Sequence, residues 1–290
     1  MIRFGSAWLG LALLAVPAQA RAVPVRIVAA ENFYGDVARQ IAGPGAVILS
    51  VMSNPAADPH LFEASPSTAR AIARADIVIC NGAGYDPWVQ RLLSADAGGR
   101  HVAIVAAAVM GRAAGANPHI WYDPATMPAV ARALVAALAA ADPAGRVEYA
   151  ARLAAFLVSL APIDAKVSAL RARFAGAAVT ATEPVFGDMA AALGLSMRNE
   201  RFQLAVMNDT EPSAADTAAF ERDLRGHAVR VLLYNAQASD TAAARLLRLA
   251  KAAGIPVVGV SETEPAGQDY QAWMLAQLAA LQAALEQPAP

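Results

Sequence analysis

The stretch VRIVAAENFYGDVARQIAGPGAVILSV, residues 25–51, places a strand-like apolar run, an amphipathic helix and a second strand-like run in immediate succession. Phe33, Val37 and Ile41 recur at the spacing that brings them to one face of a helix over residues 32–41. A strand, a helix and another strand in this order are typical of a parallel sheet covered by helices. This stretch therefore predicts an α/β fold.

The same alternation continues through both halves of the chain. Helix-like segments follow Ser65-Pro66-Ser67, which resembles a helix cap, and lie between the later apolar runs. With 290 residues the chain is long for one hydrophobic core and suits two mainly parallel α/β domains. Further strands are predicted at residues 77–80, 102–105, 178–182, 229–234 and 257–260, and the clearest later helices at residues 216–224 and 241–252.

The middle of the chain, residues 143–174, carries no strand signal. Leu153, Phe156 and Leu160 belong to a series of apolar residues that recurs there at helical spacing. One helix of about 30 residues would be about 45 Å long and could cross two lobes as a stiff spine. Pro162 could bend or interrupt it, and two ordinary packed helices in one domain fit the pattern equally well. Both arrangements remain open from the pattern alone.

The first residues have the features of a secretory signal peptide. Arg3 supplies a positive charge, residues 9–16 form a short apolar run, and Ala18-Gln19-Ala20 matches a small-x-small cleavage site. The apolar run is too short to cross a bilayer, which takes roughly 20 apolar residues. We therefore expect export to the periplasm, with cleavage near residues 20–22. Because no cysteine lies at that point, we expect a soluble product without a lipid anchor.

The composition excludes several classes of protein. Hydrophobic residues make up 57% and charged residues 16% of the chain, a balance that excludes disorder as its main state. The net charge of −1 gives no support to nucleic-acid binding, which usually shows as a basic excess. The single cysteine, Cys80, cannot form an internal disulfide, and its apolar run indicates a buried strand residue.

Two of the four histidines follow prolines in loops, as a preorganised binding site would require. His60 ends the sequence DPH and His119 ends NPH, and proline fixes the backbone just before each imidazole. An ordinary turn would show the same pattern, so neither histidine is convincing alone. His101 and His227 lie just before predicted strands and receive no functional role.

Two acids follow predicted strands directly. Glu183 follows the strand at residues 178–182, and Glu262 follows the one at 257–260. In open α/β sheets, ligands bind in the crevice outside the carboxyl ends of the strands. Each acid alone could be a solvated loop carboxylate. Together with the two histidines, however, they would supply four donors from both halves of the chain, enough to close a metal site without water.

Five segments stand in an order and spacing that are fairly specific when taken together. They are DPH at 58–60, NGAGYDPW at 81–88, NPHIWYD at 117–123, EPVFG at 183–187 and the stretch at 260–273. On these segments, which cover nearly all of the chain after the signal peptide, the sequence resembles the solute-binding proteins of zinc and manganese ABC transporters, the TroA-like or ZnuA-like class.

The resemblance implies two α/β lobes joined by one long, rigid helix, with the metal between the lobes. It places the ligands at His60, His119, Glu183 and Glu262. The fourth position is usually aspartate, so the longer Glu262 is a departure from the family pattern, and Glu264 ranks below it. The implied organisation is a signal peptide at 1–22, a first lobe at 23–142, a linking helix at 143–174 and a second lobe at 175–290.

The resemblance also implies a role in transport. The chain would be the periplasmic component of an ABC importer, a monomer that binds a zinc or manganese ion as cargo and delivers it to the membrane permease, without enzymatic activity. Two carboxylates and no histidine-rich loop at residues 111–116 favour manganese, whereas the intrinsic affinity order favours zinc, so the ion stays open. Candidates for orienting the ligands are Asn208, Asp209, Tyr234, Asn235 and Gln237.

Two other functions would use the same residues. A secreted zinc-dependent hydrolase would keep one metal position open for water and would need a general base, for which Glu264 or Asp123 could serve. A receptor for a small organic ligand would leave the histidines with structural roles. A bound metal that keeps a water ligand beside a free carboxylate would favour the hydrolase. A melting temperature that does not change on addition of zinc or manganese would favour the receptor for an organic ligand.

Overall fold

A computed structural model describes residues 23–55, 59–96, 99, 101–113, 115–237 and 241–288, with only the backbone given for His60. The expected signal peptide, residues 1–22, lies outside these described residues. The strands are β1 Val25–Glu31, β2 Ala46–Met52, β3 Ile77–Cys80, β4 Val102–Val105, β5 Ala178–Ala181, β6 Ser196–Arg198, β7 Val231–Asn235 and β8 Val257–Val260.

The strands form two four-stranded sheets with the same topology. One has the order β2-β1-β3-β4 and the other β6-β5-β7-β8, and all pairs are parallel. In each sheet the order reverses between two central strands, β1 and β3 in the first lobe and β5 and β7 in the second. Such a reversal opens a crevice at the carboxyl ends of the strands. The predicted fold class of two parallel α/β lobes is confirmed.

Helices cover both sheets, and the first shows how its sequence determines its packing. Phe33, Val37 and Ile41 are fully buried, as their spacing predicts. Gly35 lets this helix approach β2, because a Cβ there would collide with Ser50 Oγ. The helices are α1 Asn32–Ala42, α2 Pro66–Ala73, α3 Pro87–Ala95, α4 Ala106–Val109, α5 Thr126–Ala141, α6 Arg146–Ser159, α7 Ala161–Phe174, α8 Gly187–Ala192, α9 Glu200–Met207, α10 Ala214–Arg225, α11 Thr241–Ala252 and α12 Tyr270–Leu285.

The linking segment runs across both lobes but is bent. Helix α6 ends at Ser159 and α7 starts at Ala161, and Pro162 in the first turn of α7 lacks the N–H that would continue one helix. By length and composition alone, Pro143–Phe174 could cross a membrane. It packs instead on α1 and α5 of the first lobe and on α12 of the second. The sequence left open one long helix across both lobes or two packed helices in one domain. The structure combines these alternatives, because two helices form one bent link between the lobes.

The two lobes share a hydrophobic core. At their seam, the ring of Trp273 from the second lobe has its centroid 5.8 Å from that of Phe33 and 5.7 Å from that of Tyr122, both in the first lobe. Within the first lobe, the rings of Phe33 and Trp121 lie 4.8 Å apart. Both tryptophans are fully buried. Tyr122 Oη donates to Ser261 O at 2.8 Å, which adds a directional contact across the seam. The lobes are therefore fixed to each other by packing as well as by the link.

Candidate metal site between the lobes

The predicted ligand positions lie in loops at the carboxyl ends of the strands. His119 directly precedes a 3₁₀ turn at Ile120–Tyr122. Glu183 follows β5 and precedes a turn at Pro184–Phe186, and Glu262 follows β8 by two residues. His60 lies in the turn Pro59–Leu61 after β2, but its side chain is outside the described part of the structure.

His119 and Glu262 come from different lobes and meet in the interior. His119 Nε2 lies 3.2 Å from Glu262 Oε2, and both side chains are fully buried. The contact brings together two of the four predicted ligand positions, one from each lobe. A buried imidazole and a buried carboxylate held together in this way supply two donors of the kinds that transition metals use.

Asn117 fixes the orientation of the His119 ring. Its Nδ2 donates to Pro184 O at 2.8 Å, so its Oδ1 must be the acceptor that faces His119 Nδ1 at 2.7 Å. The proton of a neutral His119 therefore sits on Nδ1, which leaves the lone pair of Nε2 directed at Glu262. No pattern in the sequence assigned a role to Asn117. An asparagine side chain can, however, accept a hydrogen bond from the backbone two residues later, and here Asn117 Oδ1 also accepts from His119 N at 3.2 Å.

A single amide joins the two carboxylates of the second lobe. Asn235, the last residue of β7, donates from Nδ2 to Glu262 Oε1 at 2.6 Å and to Glu183 Oε2 at 3.1 Å. Its Oδ1 accepts from the backbone N–H of Gln237 at 3.0 Å. Gln237 Oε1 in turn accepts from the backbone N–H of Glu262 at 2.6 Å. Of the predicted orienting residues, Asn235 and Gln237 thus contact the ligand positions.

The other candidates lie elsewhere. Asn208 is exposed and donates to Leu204 O within its own helix, and Asp209 is exposed beside it. Tyr234 packs over Gly259 of the neighbouring strand. Glu264 is buried, but the charge that most strongly affects it is Asp36 of α1. Burial and that charge raise the pKa of Glu264 to about 8.

Among the described side chains, no three His, Cys, Asp or Glu residues are spaced to hold a metal ion. The structure brings His119 to Glu262 directly and links Glu183 to Glu262 only through the amide of Asn235. Three of the four predicted ligand positions therefore share one buried network.

The loop that carries Glu262 is also attached to the first lobe. Asn32 Nδ2 donates to Glu264 O at 2.7 Å, and Glu264 N donates to Asn32 Oδ1 at 3.1 Å. Together with the bond from Tyr122 to Ser261, this pairing restrains the loop on both sides of Glu262. Positioning of a second-lobe ligand thus depends on residues of the first lobe.

A cleft of about 690 Å³ lies beside the loop that carries His119. Its wall includes Pro118, which precedes His119, and Tyr85, whose ring is 6.0 Å from the imidazole. Arg112 on the same wall contacts Asp123 at 2.8 Å and Asp188 of the second lobe at 3.0 Å. The wall of the cleft thus carries a cation that bridges the two lobes.

Tyr85 separates the cleft from the interior. Burial, followed by the negative charges of Glu262 and Glu31, raises the pKa of Tyr85. Its hydroxyl therefore keeps its proton and can donate to Glu262. Trp121, with its ring 5.3 Å from His119, adds apolar surroundings that strengthen each charge interaction in the site.

Behind the site, Glu31 and Asp86 form a buried pair of carboxyl groups. Burial raises the pKa of Asp86, while the backbone N–H groups of Gly82 at 2.8 Å and Asn81 at 2.6 Å oppose that rise by favouring the ionised form. Burial and then the negative charge of Asp86 raise the pKa of Glu31 well above its ordinary value. Of the two carboxyl groups, Glu31 therefore favours the protonated form. No pattern in the sequence indicated this pair.

Comparisons with known proteins agree with the fold and give the family. The manganese-binding lipoprotein MntA of Halalkalibacterium halodurans is 27% identical over 143 residues, 48% of this chain and 47% of MntA. The matched stretch therefore spans about half the length of that curated relative. The periplasmic zinc-binding protein TroA of Treponema pallidum superimposes with a TM-score of 0.77 over 91% of this chain and 100% of TroA, at 18% identity.

A second solved structure has the same fold. Zn(II)-bound AdcA of Streptococcus pneumoniae superimposes with a TM-score of 0.71 over 92% of this chain and 59% of AdcA, at 20% identity. The model of one protein family, described as ZnuA, the periplasmic component A of a zinc-uptake complex, matches residues 27–284. Because that match covers almost the whole described chain, the protein belongs to the ZnuA family.

Proposed function

We propose that the protein captures a zinc or manganese ion between its lobes and delivers it to the membrane permease of an ABC importer. The ligands in this proposal are His60, His119, Glu183 and Glu262. The observation that carries it is the buried contact between His119 and Glu262 across the seam, with Asn235 joining Glu183 to the same group.

Charge balance supports a divalent ion. Carboxylates buried without a compensating positive charge are costly, and Glu183 and Glu262 are 4% and 1% exposed. A divalent cation bound by two carboxylates and two neutral imidazoles forms a neutral cluster. Soft sulfur donors are absent from these four positions, which suits borderline and harder ions such as zinc and manganese.

The relatives support cargo binding rather than catalysis. The family is one of metal-binding transport components, and its relatives include proteins named for binding zinc and for binding manganese. In our proposal the chain acts in the periplasm as a monomer, after export by the signal peptide at residues 1–22. Cleavage near residues 20–22 without lipidation belongs to the same proposal.

Elemental analysis of protein purified from the periplasm tests the site. We expect about one zinc or manganese ion per chain in the wild type, and loss of that ion in His119→Ala. His101→Ala is the matched control, because His101 lies 3.9 Å from Asp96 outside the site and its replacement should leave metal content unchanged. Full metal retention by His119→Ala would show that the ion binds elsewhere.

Uptake of radioactive zinc or manganese tests delivery. A host that lacks its own receptor but retains the cognate permease should accumulate the ion when the wild-type protein is supplied. If the purified protein binds metal but does not restore uptake, the metal site stands and the proposed role in transport is wrong.

A further inference from the structure

The amide of Asn235 is bonded to both second-lobe carboxylates. One of its two N–H bonds goes to Glu262 Oε1 and the other to Glu183 Oε2. The oxygen that contacts His119 is the other one of Glu262, Oε2. Asn235 thus engages one specific oxygen of each carboxylate.

The orientation of this amide is fixed by the backbone. Gln237 N donates to Asn235 Oδ1 at 3.0 Å, and Asn235 N donates to Thr182 Oγ1 at 3.2 Å. An inverted amide would place its NH₂ group against a backbone N–H and its oxygen against two carboxylates. Both arrangements are repulsive, so the two N–H bonds of Asn235 remain directed at Glu183 and Glu262.

We infer that Asn235 is a specificity-determining residue that restricts Glu183 and Glu262 to binding the cargo through one oxygen each, and so favours zinc over manganese. This inference rests on the proposed function. It assigns the role to a residue that need not touch the ion.

Coordination chemistry links the number of available oxygens to the metal. Zinc in a closed site takes four donors in a tetrahedron, which two imidazoles and two single carboxylate oxygens would complete. Manganese prefers about six, mostly oxygen, donors. With four residues it can gain the extra donors from carboxylates that bind through both oxygens, or from water. Asn235 opposes binding through both oxygens, because the oxygen that accepts its N–H has one lone pair fewer for the metal and is held in place by that bond.

Burial of the site opposes the addition of water ligands to manganese. The side chains of His119 and Glu262 are fully buried, and Trp121 and Tyr85 pack around the imidazole. Extra water ligands would need space that these rings fill. The carboxylate-rich donor set by itself favours manganese, whereas the hydrogen bonds to that set favour zinc.

The test compares zinc and manganese binding in the wild type, Asn235→Ala and Asn235→Leu. Leucine keeps the volume of asparagine and removes both N–H groups, so it separates the loss of hydrogen bonds from a cavity. Gln282→Ala is the matched control, because Gln282 also carries an amide but lies on helix α12, where it bonds to Glu286 away from the site. Dissociation constants come from competition with chromophoric chelators, and melting curves establish that each variant is folded.

We expect the affinity for zinc to fall about 10–100-fold in both Asn235 variants, the usual effect of losing a group that orients a metal ligand. The affinity for manganese should fall less, so that the preference for zinc decreases by about tenfold or more. The control should keep the wild-type preference. An unchanged preference in both folded Asn235 variants would overturn the inference.

X-ray absorption spectroscopy of the zinc-loaded wild type gives an answer that needs no variant. We expect four nitrogen or oxygen donors near 2.0 Å, with each carboxylate bound through one oxygen. A five- or six-coordinate zinc with a two-oxygen carboxylate would overturn the inference while leaving the proposed function intact. If the wild type binds neither metal, the proposed function itself fails.

Discussion

Replacing the protonated carboxyl of Glu31 should change how stability depends on pH. Glu31 is 2% exposed, and burial and the charge of Asp86 raise its pKa, so the folded protein keeps a proton that the unfolded chain loses above its ordinary pKa near 4.5. Where the folded state binds more protons than the unfolded state, stability falls as pH rises. Glutamine at this position keeps an N–H donor toward Asp86 and cannot ionise.

The magnitude follows from the one proton involved. One proton per molecule corresponds to about 1.4 kcal/mol per pH unit. As long as buried Glu31 keeps its proton, the free energy of unfolding of Glu31→Gln should rise by about 2.7 kcal/mol relative to that of the wild type between pH 6 and pH 8. Subtracting the two curves removes the contributions of groups that titrate equally in both proteins, such as Glu264.

Urea unfolding at several pH values, with a chelator present to exclude metal, measures this difference. Glu286→Gln serves as a control, because Gln282 and Arg173 lower the pKa of the exposed Glu286 and its replacement cannot produce a gain that grows above pH 6. If the curves of the wild type and Glu31→Gln run parallel from pH 6 to pH 8, Glu31 does not hold a proton in the folded protein and the carboxyl-pair argument is refuted.

Three further predictions concern the site and the seam. Asn117→Ala removes the acceptor of His119 Nδ1 and a bond between the lobes, so the dissociation constant for zinc, measured by calorimetry, should rise about 10–100-fold; an unchanged constant would contradict the role of Asn117. Metal affinity should fall as pH drops through the histidine range, since protons compete for Nε2, and constant affinity from pH 7 to pH 5 would exclude histidine ligation. Trp273→Ala should lower the free energy of unfolding by about 3–5 kcal/mol in one transition, whereas two separate transitions would show that the lobes unfold independently.

The parallel sheets and most strands were predictable because continuous apolar runs mark buried parallel strands. The runs at Ile77–Cys80, Val102–Val105 and Val257–Val260 coincide with β3, β4 and β8. Strand β6 was not predicted, because its three residues at the edge of the second sheet include an exposed arginine and carry no apolar pattern. The bend in the linking helix was predictable only as one of two alternatives, because proline in a first turn is compatible with both.

The sequence predicts a set of positions for the site but not the network of hydrogen bonds that joins them. Strand ends indicated Glu183 and Glu262, and a family resemblance joined them to His60 and His119. The pairing of Asn32 with Glu264 connects residues 232 positions apart, which local patterns do not reveal. The protonation of Glu31 depends on Asp86 beside it in space, 55 positions along the chain. The lobe boundaries at residues 142 and 174 remain a prediction.

The aromatic seam has a consequence for dividing the protein into pieces. A fragment that ends with the first lobe would expose the faces of Phe33 and Tyr122 that Trp273 of α12 now covers. The first lobe therefore completes this part of its core only when α12 is present. Cutting the chain between the lobes would remove core contacts from both pieces, although each piece would keep a complete four-stranded sheet.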